Sequence, residues 1–504
     1  MTMINNDYMA SMALRGLNKS SQVMSNAMEQ LSTGNKINRS ADDAAGMGIT
    51  TIHKAHTRGI NVSIKHASDG MTLVNSIEGA INEVTNSLLR MRELSMQSAS
   101  EVKTDYDRAQ MQKEINQLSS ELNRISSNTE FNNIKLLNGT FNRDISVGKT
   151  SSEVVNLSVN STDSETLGSH ELYSDTYIFS NSTSSHSVAK NELNNIFSDN
   201  ADYIIKGSFD ENLAKVNAGH DARELKRSFD RISDQTGVFA SALTRAKISS
   251  ISDIGNYTFT LEGKSSSAST VTVAIENTNN LTQLKDAINA VTGSTGISAS
   301  LTGDLSGVNL LQQEGYNIIV GDVTGSGNMV IDAVKKHDSG IIDVIGSSLT
   351  LNGTSINGDS ALIAGQVLLS SHKAFTITPG DNKNIFSNGN TNTNSSKHKS
   401  INEIDISSQN GGTNALTIID RAITMISAIR SELGAKSKQF ALSIDNLTNI
   451  SMNTDKANGL KEDANFAENT TQLAQSQIIQ QSSSSMIAQA NNVKNFLLSL
   501  MNLN

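Results

Sequence analysis

Residues 60–91 read INVSIKHASDGMTLVNSIEGAINEVTNSLLRM, and their spacing decides the fold. Ile60, Ser63, Ala67, Gly70, Val74, Ile77, Ile81, Val84, Leu88 and Met91 recur at alternating intervals of three and four without a slip. That alternation places them on one stripe of one long helix, the spacing of a coiled-coil seam. The stripe is small and polar at its start and strongly apolar at its end.

Seams of the same kind flank it. Upstream, Leu14, Leu17, Ser21, Met24, Met28 and Leu31 form a shorter one, which Ser32-Thr33-Gly34-Asn35 interrupts. Ser40 followed by Asp43 has the form of a capping box for the long helix. Downstream, a helix is expected after Asp105 with Met111, Ile115, Leu118, Leu122 and Ile125 on its seam, and Asn138-Gly139 closes the region. Phe141 to Leu157 reads as two short strands joined by a polar turn. The C-terminal part repeats the pattern: Leu416, Ile419, Ile423, Ile426, Arg430, Leu433, Ser437, Phe440, Ile444 and Leu447 form one seam. Ile479, Ser483, Met486, Ala490, Val493, Leu497 and Leu500 form another. Core stripes of a single globular bundle are the ordinary reading of amphipathic helices, but unbroken three-four alternation over this length favours extended coiled-coil packing.

Between these helical ends, from about Gly168 to Ser400, the chain becomes rich in Ser, Thr, Asn and Gly. Alternating runs at Tyr257–Leu261, Val271–Ile275 and Asn317–Val320 predict strands, Leu281 to Val291 predicts a short amphipathic helix, and Ser395 to Ser400 reads as a linker. This is an α+β middle.

Composition narrows the function. The 504 residues include one proline, Pro379, no Cys and no Trp, with 4% aromatic residues and a net charge of −10. Scarce proline leaves long helices uninterrupted. The acidic balance disfavours nucleic acid as a partner, and the lack of Cys excludes disulfides and thiolate metal sites. No apolar stretch is long enough to span a bilayer, and the opening residues Met1 to Asp7 lack the basic and apolar regions of a secretory signal.

The two terminal seams are individually weak. Burying a Leu- or Met-sized side chain yields roughly 1.5–3 kcal/mol, whereas fixing each backbone residue costs about 1–2 kcal/mol. The last seam is further diluted by Gln480, Gln481 and Ser482 to Ser485. Each end therefore needs a partner, the other terminus first and copies of the same chain next. The expectation is that both ends are largely disordered in the free monomer and become helical on assembly.

Short motifs then carry a resemblance. Leu17-Asn18-Lys19-Ser20, Leu31-Ser32-Thr33-Gly34, Ile37-Asn38 and Ala41-Asp42-Asp43-Ala44-Ala45-Gly46 resemble the N-terminal signature of bacterial flagellins. Glu78-Gly79-Ala80, Arg90-Met91-Arg92-Glu93-Leu94 and Phe131-Asn132 extend it. Ile444-Asp445-Asn446-Leu447, Glu462 to Ala467, Gln477-Ile478 and Ala488-Gln489-Ala490-Asn491 resemble the C-terminal signature. Departures are Val493 to Phe496 where a proline is common, Leu460 where a basic residue is common, and the ending Asn502-Leu503-Asn504. Gly255 to Leu261, Gly296 to Ser300 and Gly315 to Ile318 are similar to an insertion module of flagellins and hook-associated proteins.

The resemblance implies a multi-domain, hairpin-shaped subunit with paired N- and C-termini. Residues 1–42 and 456–504 would form an inner coiled-coil domain. Residues 43–170, with a β-hairpin, and 401–455 would form a rod-like helical domain. Residues 171–400, with the module at about 250–322, would form an outward-projecting α+β variable region. It implies a secreted homopolymer, the extracellular flagellar filament, whose subunits leave the cell unfolded through the flagellar type III apparatus. The implied partners are further copies, filament cap and hook–filament junction proteins, and an export chaperone at the C-terminal helices, with neither nucleic acid nor membrane insertion. Subunit packing would use Leu14, Leu17, Met24, Met28, Leu31, Met486, Ala490, Val493, Leu497 and Leu500. Arg90, Leu94 and Glu114 align with positions by which many flagellins engage Toll-like receptor 5, against the plainer reading of solvated helix charges and a packing leucine.

Enzymatic readings fare poorly, and no catalytic residue, cofactor or metal is expected. Val147-Gly148-Lys149-Thr150 resembles the end of a phosphate-binding loop, but Arg143 stands where its first glycine should be. His170-Glu171 begins like a zinc-protease motif, but Ser174 occupies the second histidine position. His53 and His56 lack a carboxylate pair at ligand spacing. The Ser/Thr-rich middle suits O-linked glycans or, equally, a plain soluble surface. Two other functions compete: a hook–filament junction protein, which would bind hook ends without forming long filaments, and a middle region acting as an adhesin or glycan-binding module.

Overall fold

The computed structural model describes residues 8–100, 102–148, 150, 152–174, 178–181, 201–217, 220–265, 267–336, 342–354, 359–380, 385–386 and 393–501. Its helices are α1 (Tyr8–Thr33), α2 (Ala44–Ser98), α3 (Asp105–Asn128), α4 (Ala222–Asp230), α5 (Ser233–Thr236), α6 (Thr282–Ala290), α7 (Thr292–Thr295), α8 (Gln409–Glu462) and α9 (Phe466–Met501). The chain divides into two compact units. One comprises Met1–Ser76, Asn142–Ser158 and Glu432–Asn504, the other Ile77–Phe141 and Val159–Ser431.

In the first unit, α1 runs antiparallel to α9, and the first part of α2 lies beside the last part of α8. The expected hairpin forms from Asn142–Ser146 and Val154–Ser158, paired antiparallel. Ile60, Ser63, Ala67, Gly70 and Val74 are buried, as the seam requires. Gly70 shows why its smallness matters: a Cβ there would stand 2.8 Å from the Phe440 ring and 3.0 Å from Ile145. A larger residue in α2 would push the buried Phe440 out of its seat. The cap of α2 differs from the expected box. Asp43 accepts from the Gly46 amide at 2.9 Å, while the Ser40 hydroxyl turns to the Met47 sulfur. Asp43 is therefore itself the cap, since its short carboxylate reaches the orphan amide three residues on.

In the second unit the rest of the long seam, Ile77, Ile81, Val84, Leu88 and Met91, is fully buried. Met111, Ile115, Leu122 and Ile125 of α3 and Ala415, Ile419, Ala422 and Ile426 of α8 are buried as well. Thr104 and Asp107 form a reciprocal capping box at the start of α3. After α3, Glu130–Phe131 and Ile134–Lys135 close a hairpin on Asn132 and Asn133, both at positive φ. Asparagine tolerates that conformation better than most residues, which is why Asn132-Asn133 can turn the chain here.

The middle is β-rich. The strand Gly168–Tyr173, on which it begins, pairs antiparallel with Lys397–Ser400, on which it ends. The segment read as a linker is thus partly an edge strand. Its alternation is too polar to signal a strand, because it earns its pairing from a neighbour more than two hundred residues away in sequence. The approach is close: a Cβ on Gly168 would fall 2.0 Å from the Lys399 carbonyl oxygen. The long strand Phe239–Ile251 organises this sheet, pairing with Val308–Gln312, Gln366–Ser371 and Asn328–Lys336. A second sheet holds Gly255–Glu262 between Ser269–Ile275 and Ile318–Gly325. Tyr257, Phe259, Leu261, Val271 and Val273 alternate inward onto Leu284 and Ile288 of α6, the module's core. A separate core gathers Tyr203, Phe229 of α4, Val367, Phe375 and Phe386.

Candidate functional site: the paired terminal helices

The α1–α9 pair is built on small residues. On α1 the inward stripe is Ala13, Leu17, Ser20, Met24, Ala27 and Leu31, of which Ala13, Ser20 and Ala27 are the most buried. On α9 it is Asn469, Leu473, Ser476, Gln480, Ser483, Ile487 and Ala490. Both keep three-four spacing. The Ser20 hydroxyl donates to the Ser476 carbonyl at 2.6 Å, and a Cβ on Gly16 would lie 3.5 Å from the Ser483 hydroxyl. A serine side chain reaches a neighbouring helix's backbone only when the axes come close, which small side chains permit.

The turn between α1 and α2 is tied to the α8–α9 junction. Gly34, at φ +74°, frees the chain to turn, and its carbonyl accepts from the Ala464 amide at 2.9 Å. The Lys36 amide donates to the Glu462 carbonyl at 2.6 Å, and Asn35 bridges Asp463. Asp42 takes the Asn38 and Arg39 amides, each at 2.9 Å, and these bonds hold its carboxyl below the usual range. Lys54 pairs with the largely buried Glu462 at 2.5 Å. The motif residues Leu31 to Gly46 and Glu462 to Ala467 therefore meet in one joint.

The expected subunit-packing residues divide between two faces. Leu17, Met24, Leu31 and Ala490 lie on the inward stripe, half-buried. Leu14, Met28, Met486 and Val493 face outward, with 49%, 49%, 54% and 51% of their surface exposed. The Leu497 and Leu500 side chains lie outside the described residues. The single seam read from the sequence is thus one position off the intramolecular one at alternate steps: Ala13, Ser20 and Ala27 take the inner places instead of Leu14, Ser21 and Met28. Tyr8, Met12, Ile478 and Ile479 are further exposed apolar side chains on these two helices.

Arg90 donates to Glu114 at 2.7 Å and to Glu93 at 3.1 Å, and these carboxylates raise its pKa. Leu94 is 2% exposed and is therefore a packing residue in this conformation; its side chain does not reach the surface that Arg90 and Glu114 share. Leu89, 46% exposed, does reach solvent. His170 and Glu171 lie on a strand rather than a helix, with the His170 ring 4.9 Å from that of His398. Burial first, then the charges of His398 and His372, lower the His170 pKa to about 4. Among the described residues no three His, Asp or Glu side chains are grouped to hold a metal. Lys149 lies outside the described residues, and Gly148 belongs to the hairpin loop, where its carbonyl accepts from Ser63 at 2.7 Å. Among the described residues no helix is long and apolar enough to cross a membrane.

Helical ends that clasp through small residues and carry unmatched apolar stripes define a polymer subunit. Comparison with known proteins agrees. The bacterial flagellin N-terminal helical region matches residues 4–142, the C-terminal helical region 416–501, and the flagellin hook IN motif 258–311. B-type flagellin of Pseudomonas aeruginosa is 30% identical over 97% of both chains. Flagellin C of Vibrio anguillarum is 28% identical over 99% of both. FliC from Burkholderia pseudomallei, a solved structure, is matched over 73% of this chain and 99% of its own, at 14% identity and a TM-score of 0.29, a loose superposition. The chain belongs to the bacterial flagellin family. Flagellins polymerise into the flagellar filament, an extracellular structure of motility, and the family is a structural one.

Proposed function

We propose that the outward apolar stripes of α1 and α9 are the surfaces by which one copy of this chain packs on the next in the filament. The observation that carries the reading is the division of the seam. Small residues are spent on the intramolecular pair, while Leu14, Met28, Met486 and Val493 are left exposed. A weak internal pair that is completed by neighbours suits a subunit exported unfolded through the flagellar type III apparatus and ordered at the filament tip. A heterologous, non-closing contact then propagates the polymer. Residues 1–42 with 456–504 act as the inner domain, 43–170 with 401–455 as the rod, and 171–400 as the exposed surface. Cap and junction proteins engage the same terminal helices, and an export chaperone holds α9 before secretion.

Leu14→Asp and Met486→Asp test this. Burying an unpaired carboxylate costs several kcal/mol, and each ~1.4 kcal/mol raises the critical concentration about ten-fold. Seeded growth followed by light scattering and electron microscopy should fail for both variants, with circular dichroism showing helix gained on assembly only in the parent. Filaments growing normally from either variant would overturn the assignment.

Recognition by Toll-like receptor 5 is a separate reading, favoured by the exposed Arg90–Glu114 pair. Arg90→Ala should lower receptor signalling by free monomer; unchanged signalling removes this site.

A further inference from the structure

A cleft lies in the β-rich unit. It encloses about 620 Å³ and is bordered by the strands Phe239–Ile251, Ile297–Leu301, Val308–Gln312 and Gln366–Ser371 and by the first turns of α8. A volume of this order accommodates a small-molecule ligand, within the range of about 300–1,000 Å³ usual for such sites.

Its lining has a particular chemistry. Arg245 is the one charged side chain among the described lining residues. No hydrogen bond or ion pair engages it among the described residues, and burial lowers its pKa while the nearby Tyr173 is the only group raising it. An arginine drawn into a cleft without a carboxylate bears a desolvation cost that an incoming anion would offset. Guanidinium offers a planar fork of donors that fits a carboxylate in two-point fashion. Around it stand Asn309, Gln313, Asn410 and Asn414, whose side-chain amides have no partner among the described residues, and the hydroxyls of Ser300 and Thr417. Amides and hydroxyls both donate and accept, matching a ligand dense in hydroxyl groups. Ala99, Ala242, Ala246 and Ala299 supply apolar patches for its C–H faces. The starting turn of α8, Gln409 to Thr413, forms part of the wall and adds the positive end of a long helix.

We propose that this cleft binds an acidic sugar, a carboxylate-bearing monosaccharide residue of the uronic or sialic acid type, with Arg245 taking the carboxylate and the amide-rich rim taking the hydroxyls. A filament subunit would thereby carry a glycan-binding function in addition to polymerisation.

The test is ligand-observed NMR and calorimetry on the full-length monomer. The probes are N-acetylneuraminic acid methyl glycoside, glucuronic acid, the neutral sugar glucose and inorganic phosphate. At least one acidic sugar should bind, with glucose about ten-fold weaker or more, the scale of one charge-assisted hydrogen-bonded pair. Arg245→Met should abolish that preference and Arg245→Lys should keep part of it. Because a buried arginine can also matter for folding, Asn309→Leu on the exposed rim serves as a second variant, expected to weaken sugar binding about ten-fold with an unchanged melting profile. Binding of phosphate as tightly as of the sugars overturns the sugar assignment. Equal binding of acidic and neutral sugars, or no loss in either Arg245→Met or Asn309→Leu, overturns the site.

Discussion

Phe440→Ala is the sharpest test of how the helices of the first unit hold together. Phe440 is wholly buried on α8 and sits over Gly70 of α2, with Ile145 of the hairpin on the same spot. Removing the ring loses its transfer energy and leaves a void that two long helices cannot easily close, so the cost should be about 3–5 kcal/mol. Gly70→Ala approaches the same contact from the other side. The methyl would gain about 1 kcal/mol of helix propensity, yet it would meet ring carbons at 2.8 and 3.0 Å, and overpacking costs about 1–3 kcal/mol. The net effect of Gly70→Ala alone is therefore a loss of up to about 2 kcal/mol. Combined with Phe440→Leu, the same methyl occupies space that the smaller side chain vacates, and part of the loss should return. Urea unfolding followed at 222 nm on the monomer, together with the temperature at which filaments dissociate, reads the parent, Phe440→Ala, Gly70→Ala, Phe440→Leu and the double variant. A Phe440→Ala protein within about 0.5 kcal/mol of the parent would refute the packing argument, as would strict additivity of Gly70→Ala and Phe440→Leu.

Other expectations concern the remaining joints. Ser20→Ala removes the bond to the Ser476 carbonyl, so the α1–α9 pair should lose about 0.5–1.5 kcal/mol, seen as faster amide exchange in both helices of the filament. Gly168→Ala places a methyl against the Lys399 carbonyl and should lower the thermal transition of the middle region by at least the ~1–3 kcal/mol of an overpacked site. His170 predicts a pH dependence. Its folded pKa is depressed to about 4 from the ordinary 6.5. The unfolded chain therefore takes up the proton first, and the stability contributed by neutral His170 is present above about pH 6.5 and lost as the pH falls towards 4. Acid unfolding of the middle region should flatten across that window in His170→Gln, while an unchanged profile would assign the acid sensitivity elsewhere.

Much of the helical framework was legible because helix periodicity is local. Ile60 through Met91 needed only a count of spacings to be placed on one buried stripe, and every member is buried. The strands at Tyr257–Leu261 and Val271–Ile275 were legible for the same reason, since alternation with β-branched and aromatic residues is read within a few positions. Lys397–Ser400 was not, because its strand character comes from pairing with Gly168–Tyr173, and no local signal encodes that neighbour.

The terminal helices mark the boundary between the two kinds of information. By itself the sequence determined that both ends are helical and amphipathic, with stripes poor in large apolar side chains. Tertiary structure alone decided which stripe each helix turns to the other. Counting large apolar side chains favours Leu14 and Met28, but close packing favours Ala13, Ser20 and Ala27, whose small side chains let the α1 and α9 backbones approach until a serine hydroxyl meets a carbonyl at 2.6 Å. The same holds for the Arg245 cleft, whose walls come from strands and a helix start distant in sequence. A seam is a property of one helix, whereas a contact depends on the distance between two, and only the folded chain sets that distance.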